Sequence, residues 1–172
     1  GLMTIQIDTR EHKKEAQRII EQFEQLGVSY FRSKLYVGDY QSLDNPRLVV
    51  ERKKDLLERC GNVTQQQERF VAELQRGIKA GIKIVILCEN GDGIRSLEDV
   101  WFWRNPRLDI MDWKVINNRP VQVPKYPRAT TGQQLYKSLN TIVKEYNTAV
   151  MFCDKSETGA VISKILGGEI IV

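Results

Sequence analysis

The chain has 172 residues, 41% of them hydrophobic and 28% charged, with a formal net charge of +4. That is a globular mixture sized for one compact domain, and no apolar run approaches the length that spans a bilayer. Cys60, Cys88 and Cys153 are far apart, odd in number and without a CxxC pair; with no leader pattern visible, this excludes a disulfide framework or zinc ribbon and predicts buried thiols in a reducing cytoplasm.

The first element is a short alternating strand, "MTIQID", ending at Asp8. "HKKEAQRIIEQFEQLG" then places Ala16, Ile19, Ile20, Phe23 and Leu26 on one helical face, closed by Gly27. The one histidine, His12, falls at the wet start of that helix, so a histidine-based triad is not expected. "VSYFRSKLYVGDY" reads as a strand, "LDNPR" as a turn and "LVVERK" as the returning strand. Thr64 and Gln67 form a capping box before a helix over "TQQQERFVAELQRGIKAG". "IKIVILCE" is a nearly continuous apolar run, predicting a strand buried on both faces, and "NGDG" a turn. That turn lacks the Lys-Ser/Thr of a phosphate-binding loop. A second capping box, Thr131 with Gln134, opens a helix lined by Leu135, Leu139, Ile142 and Val143. "TAVMFC" is another buried strand, and "KSETGAVISKIL" a last helix. Alternating strands and helices around an early hairpin predict an α/β fold with a mixed sheet flanked by helices, as one domain over 1–172.

Residues 101–128 are the one long irregular stretch, of the kind that is usually functional. They hold 6 basic and 2 acidic residues, whereas residues 1–100 hold 16 of each and 129–172 hold 4 of each. The whole excess of charge therefore lies there, together with Trp101, Trp103 and Trp113. Basic residues interleaved with aromatics suit a polyanion with stackable bases. The same composition also suits a loop whose tryptophans plug the core.

The hairpin raises a different question: its second strand ends in four charges, Glu51, Arg52, Lys53 and Lys54. Alternation puts Glu51 and Lys53 on one side. The hairpin brings Asp39, at or near the end of the preceding strand, close to them, and Asp8 ends another strand of the sheet. Three carboxylates and a lysine at one edge suit Mg²⁺ or Mn²⁺ and a phosphate. A bare Glu-x-Lys is equally the pattern of a solvated strand end.

Three segments together carry a resemblance. "IDTRE" (7–11), "VGDY" (37–40) and "VVERK" (49–53) resemble the nuclease motifs of the XPF family of structure-specific DNA endonucleases. The resemblance implies a restriction-endonuclease-like fold of the PD-(D/E)xK kind, and it points to the small stand-alone members of bacteria and phages. It implies metal ligation by Asp39 and Glu51, helped by the Arg52 carbonyl, with Lys53 as the catalytic lysine and Arg52 supporting the site or contacting phosphate. Asp8, also a candidate ligand, and Glu11 would complete the acidic rim. Arg10 and Glu11 have the further reading of a helix-start pair, Glu11 favouring the helix dipole.

Two departures stand out. The family pattern carries an Asp six residues after the Glu of E-R-K, where this chain has Leu57 flanked by Asp55 and Glu58; Asp55 reads as an acid at a helix start. With no tandem helix-hairpin-helix unit expected, the grip on DNA would come from the nuclease domain, a dimer mate or another protein; 101–128 is the candidate surface through Arg104, Arg107, Lys114 and Arg119, and Arg10 is a further DNA-binding candidate. The expected activity is metal-dependent hydrolysis of branched, flap or forked DNA by a metal-activated water, leaving a 5′-phosphate. The alternatives are a non-catalytic DNA-binding or docking module of the same fold, or a restriction-like nuclease with a different target. A homodimer and a recruiting protein are the implied protein partners; no membrane is.

Overall fold

The computed structural model describes residues 3–57, 64–89 and 93–172, with the main chain alone for 64–67. The Thr64–Gln67 capping box, Cys60, Glu58 and most of the turn at 90–93 lie outside the described residues. The chain runs β1 (Thr4–Ile7), α1 (Lys13–Gln25), β2 (Ser29–Arg32), β3 (Tyr40–Ser42), β4 (Asn45–Lys53), α2 (Thr64–Lys79) and β5 (Lys83–Glu89). It continues through two 3₁₀ turns, Glu98–Phe102 and Pro106–Asp109, into β6 (Met111–Ile116), β7 (Arg119–Pro124), α3 (Gly132–Glu145), β8 (Thr148–Cys153) and α4 (Thr158–Leu166).

Six strands form a mixed sheet in the order β2-β1-β3-β4-β5-β8, with β1–β2, β4–β5 and β5–β8 parallel and β3 antiparallel to both its neighbours. Strand alternation sorts the core into two layers. Ile5, Ile7, Tyr40, Leu48, Val50, Val85 and Leu87 pack against Ile19, Ile20 and Phe23 of α1 and Ile162, Ile165 and Leu166 of α4. On the other face Ile84 and Ile86 meet Phe70 and Leu74 of α2 and Ile142 of α3, while Cys88 joins Leu135 and Leu139 of α3, Leu56, Val100 and Trp103. The Thr131–Gln134 capping box forms as expected.

Several expectations are corrected. The long strand expected over 28–40 is two short ones, because residues 33–39 leave the ladder. Gly38 has φ +78, and a Cβ there would overlap the Val49 side chain; only glycine lets the loop lie this close to β4. Asp39 accordingly sits just before β3 and not at the end of a strand leading to it. β8 is an edge strand with four half-buried residues, not one buried on both faces. Leu26 is 53% exposed, one residue past the apolar face of α1. The segment expected to be irregular carries a regular hairpin, β6–β7, whose turn residues Asn117 and Asn118 have φ 52 and 62. Paired positive φ values make the two-residue turn that matches strand twist, and Asn tolerates them.

Candidate active site

The three charges that end β4, Glu51, Arg52 and Lys53, do not share an environment, and Lys54 lies just beyond the strand. Glu51 and Lys53 point to the α2/α3 side, and Arg52 points to the α1/α4 side beneath the sheet. Arg52 is 7% exposed and pairs bidentately with Glu11, at 2.8 and 2.9 Å, and with Glu89 of β5 at 2.6 Å. The other Glu89 oxygen accepts from Arg18 of α1 at 2.7 Å and from the Thr158 hydroxyl of α4. Arg18 also holds Glu15 and the Lys155 carbonyl. Buried charges persist only when paired and hydrogen-bonded in this way. Burial opposes the Arg52 charge, but the Glu11 and Glu89 carboxylates outweigh it and raise the guanidinium pKa further.

On the opposite face, Asp39 and Glu51 lie side by side, Asp39 half-buried and Glu51 buried. One Asp39 oxygen accepts the Arg52 N–H at 2.8 Å, and the Asp39 N–H donates to Val50 O, so the side chain extends the β3–β4 ladder by one rung. Desolvation, with the Glu11 and Glu73 charges adding to it, pushes the Asp39 carboxyl up to about 8. Burial and then the Asp39 and Glu73 charges push Glu51 well above the usual range as well. Lys53 Nζ sits 3.6 Å from Glu51 Oε1 and 5.0 Å above the Phe70 ring. Glu73 of α2 completes the group: it accepts the Gly38 N–H at 2.8 Å.

Asp8 stands on the same face and donates its N–H to Asp39 O, but its carboxylate is engaged elsewhere. It accepts from Arg10 Nε at 2.7 Å and from the Leu35 N–H at 2.8 Å. Burial works against its charge, yet these bonds hold the carboxyl below its usual value. Asp8 thus anchors the 33–38 loop, and Arg10 anchors Asp8 while also donating to Leu35 O at 3.1 Å. Glu11 pairs with Arg52 and also accepts the His12 N–H at the start of α1 at 3.2 Å, in keeping with the helix-start reading, whereas Arg10 pairs with Asp8. Asp55 is half-buried beyond β4.

The basic stretch divides. Trp103 is 8% exposed in the core, Trp101 packs edge-on against Tyr136, and Trp113 is 65% exposed. The core-plugging reading therefore holds for Trp103, while Trp113 is left exposed on the hairpin. Arg104 pairs bidentately with Asp109 on the surface, Arg107 is half-buried, and Lys114 and Arg119 are exposed together on one face of the hairpin. Sequence reasoning missed Glu73 and Glu89. Glu89, the lone charge closing an apolar strand, was the readable signal; Glu73 lies between Ala72 and Leu74 of a helix, and helical periodicity alone gives no sign that it reaches the 38–39 turn.

Among the described residues no three His, Cys, Asp or Glu side chains form a ready-made metal cage. The donor chemistry nonetheless fits a divalent cation. Two hard-oxygen carboxylates are held side by side with their ionised forms disfavoured, and Mg²⁺ keeps most of its water and needs only one or two protein carboxylates.

The sequence profile of the ERCC4 domain matches residues 7–165. The chain belongs to the ERCC4 domain family. Solved structures that share the fold of this ERCC4 domain include two of one archaeal protein. XPF from Aeropyrum pernix is 20% identical at a TM-score of 0.58, covering 95% of this chain and 64% of that one. XPF from Aeropyrum pernix in complex with DNA is 19% identical at 0.60, covering 97% and 64%. The ERCC4 domain spans a little under two thirds of those chains. No curated protein is detectably similar in sequence. The family supports a nuclease or DNA-binding role, and the likeness to the solved structures shows the fold. Among the described residues no helix is long and apolar enough to cross a membrane.

Proposed function

We propose that this ERCC4 domain is a divalent-metal-dependent endodeoxyribonuclease acting on branched, flap or forked DNA. The observation that carries the reading is one face of β4: Asp39 and Glu51, carboxylates whose charge the fold disfavours, beside the Lys53 ammonium. Asp39 and Glu51 would hold Mg²⁺ or Mn²⁺. When bound, that cation supplies Lewis acidity at the phosphodiester and lowers the pKa of water.

The remaining work falls to side chains of this chain. Lys53 balances the negative charge that develops on the phosphoryl oxygens and orients the attacking water. Phe70, under the ammonium, keeps it directed along the face. The Arg52 N–H fixes one Asp39 oxygen and so aims the other. Glu73 braces the 38–39 turn from α2. Arg104, Arg107, Lys114 and Arg119 are proposed to meet the DNA backbone, Arg104 after exchanging Asp109 for phosphate. The preference for branches rests on the XPF resemblance.

The test is cleavage of labelled forks, flaps and duplexes in Mg²⁺ and Mn²⁺, against EDTA and Lys53→Ala. Metal-dependent cutting that Lys53→Ala lowers by two to three orders of magnitude or more is expected, as for loss of a charge-stabilising group. Full cutting in EDTA or by Lys53→Ala sinks the proposal; DNA binding without cutting on any substrate would favour the non-catalytic module.

A further inference from the structure

The β6–β7 hairpin stands clear of the sheet, with 11 of its 12 strand residues exposed. Its root does not. Trp103 and Val100 pack with Leu56 and Cys88, and Cys88 is the direct partner of Lys53 in the β4–β5 ladder. The arm therefore rises from the end of the sheet that carries the candidate site.

Its two faces differ. Cross-strand register puts Met111, Trp113 and Val115 on one face opposite Pro124, Gln122 and Pro120. These three apolar side chains are 45, 65 and 75% exposed. Lys114 and Arg119 share the other face with Asp112, Ile116, Val121 and Val123, and no cation lies on the Trp113 face. An exposed apolar ribbon needs a partner, and charge says which kind. Residues 110–128 carry Lys114, Arg119, Lys125 and Arg128 against Asp112 alone, complementary to a polyanion. Pro120 and Pro124 also remove donors from β7, which discourages addition of another protein's strand to that edge. An arm with cations on one face and an exposed indole on the other matches a nucleic acid that offers phosphates and a stackable base pair together.

We propose that the hairpin Met111–Pro124 is a branch wedge. Lys114 and Arg119 lie on the phosphates of a duplex arm, and Trp113, flanked by Val115, stacks on the base pair exposed where the strands part. This rests on the DNA-nuclease reading and adds to it the element that would select a branch.

The experiment uses the full chain in EDTA, so that nothing is cut. Binding to a fork and to a duplex of matched sequence is measured by anisotropy, with 2-aminopurine at the branch reporting local unstacking. Trp113→Ala should weaken fork binding at least about fivefold, the lower range for one lost base stack, while duplex binding moves by less than about twofold. The 2-aminopurine signal should vanish with it, and Trp113→Phe should restore most of both. Because Trp113 is outside the core, circular dichroism and melting should match the wild type. An unchanged fork-to-duplex ratio in Trp113→Ala overturns the wedge, as does a self-association that Trp113→Ala abolishes while fork binding persists. If the wild type binds and cuts forks but the ratio does not move, the wedge alone fails. If the wild type has no DNA affinity, the nuclease reading fails with it.

Discussion

Arg52 and Lys53 are adjacent in sequence and opposite in environment, and their substitutions should separate accordingly. Arg52→Ala leaves Glu11 and Glu89 buried without their main partner, a change that costs about 3–5 kcal/mol in comparable buried pairs. Arg52→Lys cannot reproduce the bidentate bond to Glu11 together with the bond to Glu89 and should recover little of it. Lys53→Ala removes only a 3.6 Å pair at a partly wet edge, so its stability should stay within about 1 kcal/mol of wild type while cleavage is lost. Urea denaturation of the three variants checks this; equal losses for Arg52→Ala and Lys53→Ala would mean that Arg52 has no special structural role. The alternation that divides Glu51 and Lys53 from Arg52 was legible in the motif. What was not legible is that Arg52 finds Glu89 and, through it, Arg18 and Thr158, because those partners come from strands and helices far along the chain.

At the scale of elements, β3 and the β6–β7 hairpin were the hardest to read; the placing of Asp39 depends on the first, and the proposed DNA contacts on the second. β3 is only three residues long; its neighbours looked strand-like in composition, yet Gly38 and the Asp8–Leu35 bond remove 33–39 from the sheet. Tertiary contact overrode local propensity there. In the basic stretch, "WKVINNRPVQV" does alternate about an Asn-Asn turn, but the tryptophans and charges drew attention to composition instead of period. The distinction matters for any deletion. Removing 101–128 takes out Trp103 and Asn105, both buried, and should unfold the domain. Excising only 111–124 with a short Gly-Ser bridge should leave stability within about 0.5 kcal/mol, as for other surface changes away from the core. The same excision should lower the slope of log affinity against log salt by about 2, from the loss of the Lys114 and Arg119 contacts. A cooperative melt that shifts strongly would show that the hairpin supports the core after all.

For the molecule as a whole, the acidic face makes stability depend on pH and on metal. Asp39 holds its proton to about pH 8 in the fold and to only about 4 in an unfolded chain. The folded state therefore binds more protons between those values, and metal-free stability should fall as pH rises through that window. A cation that binds the ionised pair opposes this, so excess Mg²⁺ should raise the melting temperature more at pH 8 than at pH 6. Parallel melts in EDTA and Mg²⁺ test it; a metal effect independent of pH would remove Asp39 from the binding event. The sheet order was only partly readable, since periodicity reports strands and not their neighbours, but the two-layer burial follows directly from it. The ion network across those layers also has a temporal side. The motif residues from Asp8 to Lys53 leave the ribosome well before Thr158, yet Arg52 is held by Glu89, and Glu89 by Thr158. A nascent chain thus displays every motif long before it owns the scaffold that aims them. On the proposed reading, cutting power waits for Thr158 to emerge and close on Glu89 beneath Arg52.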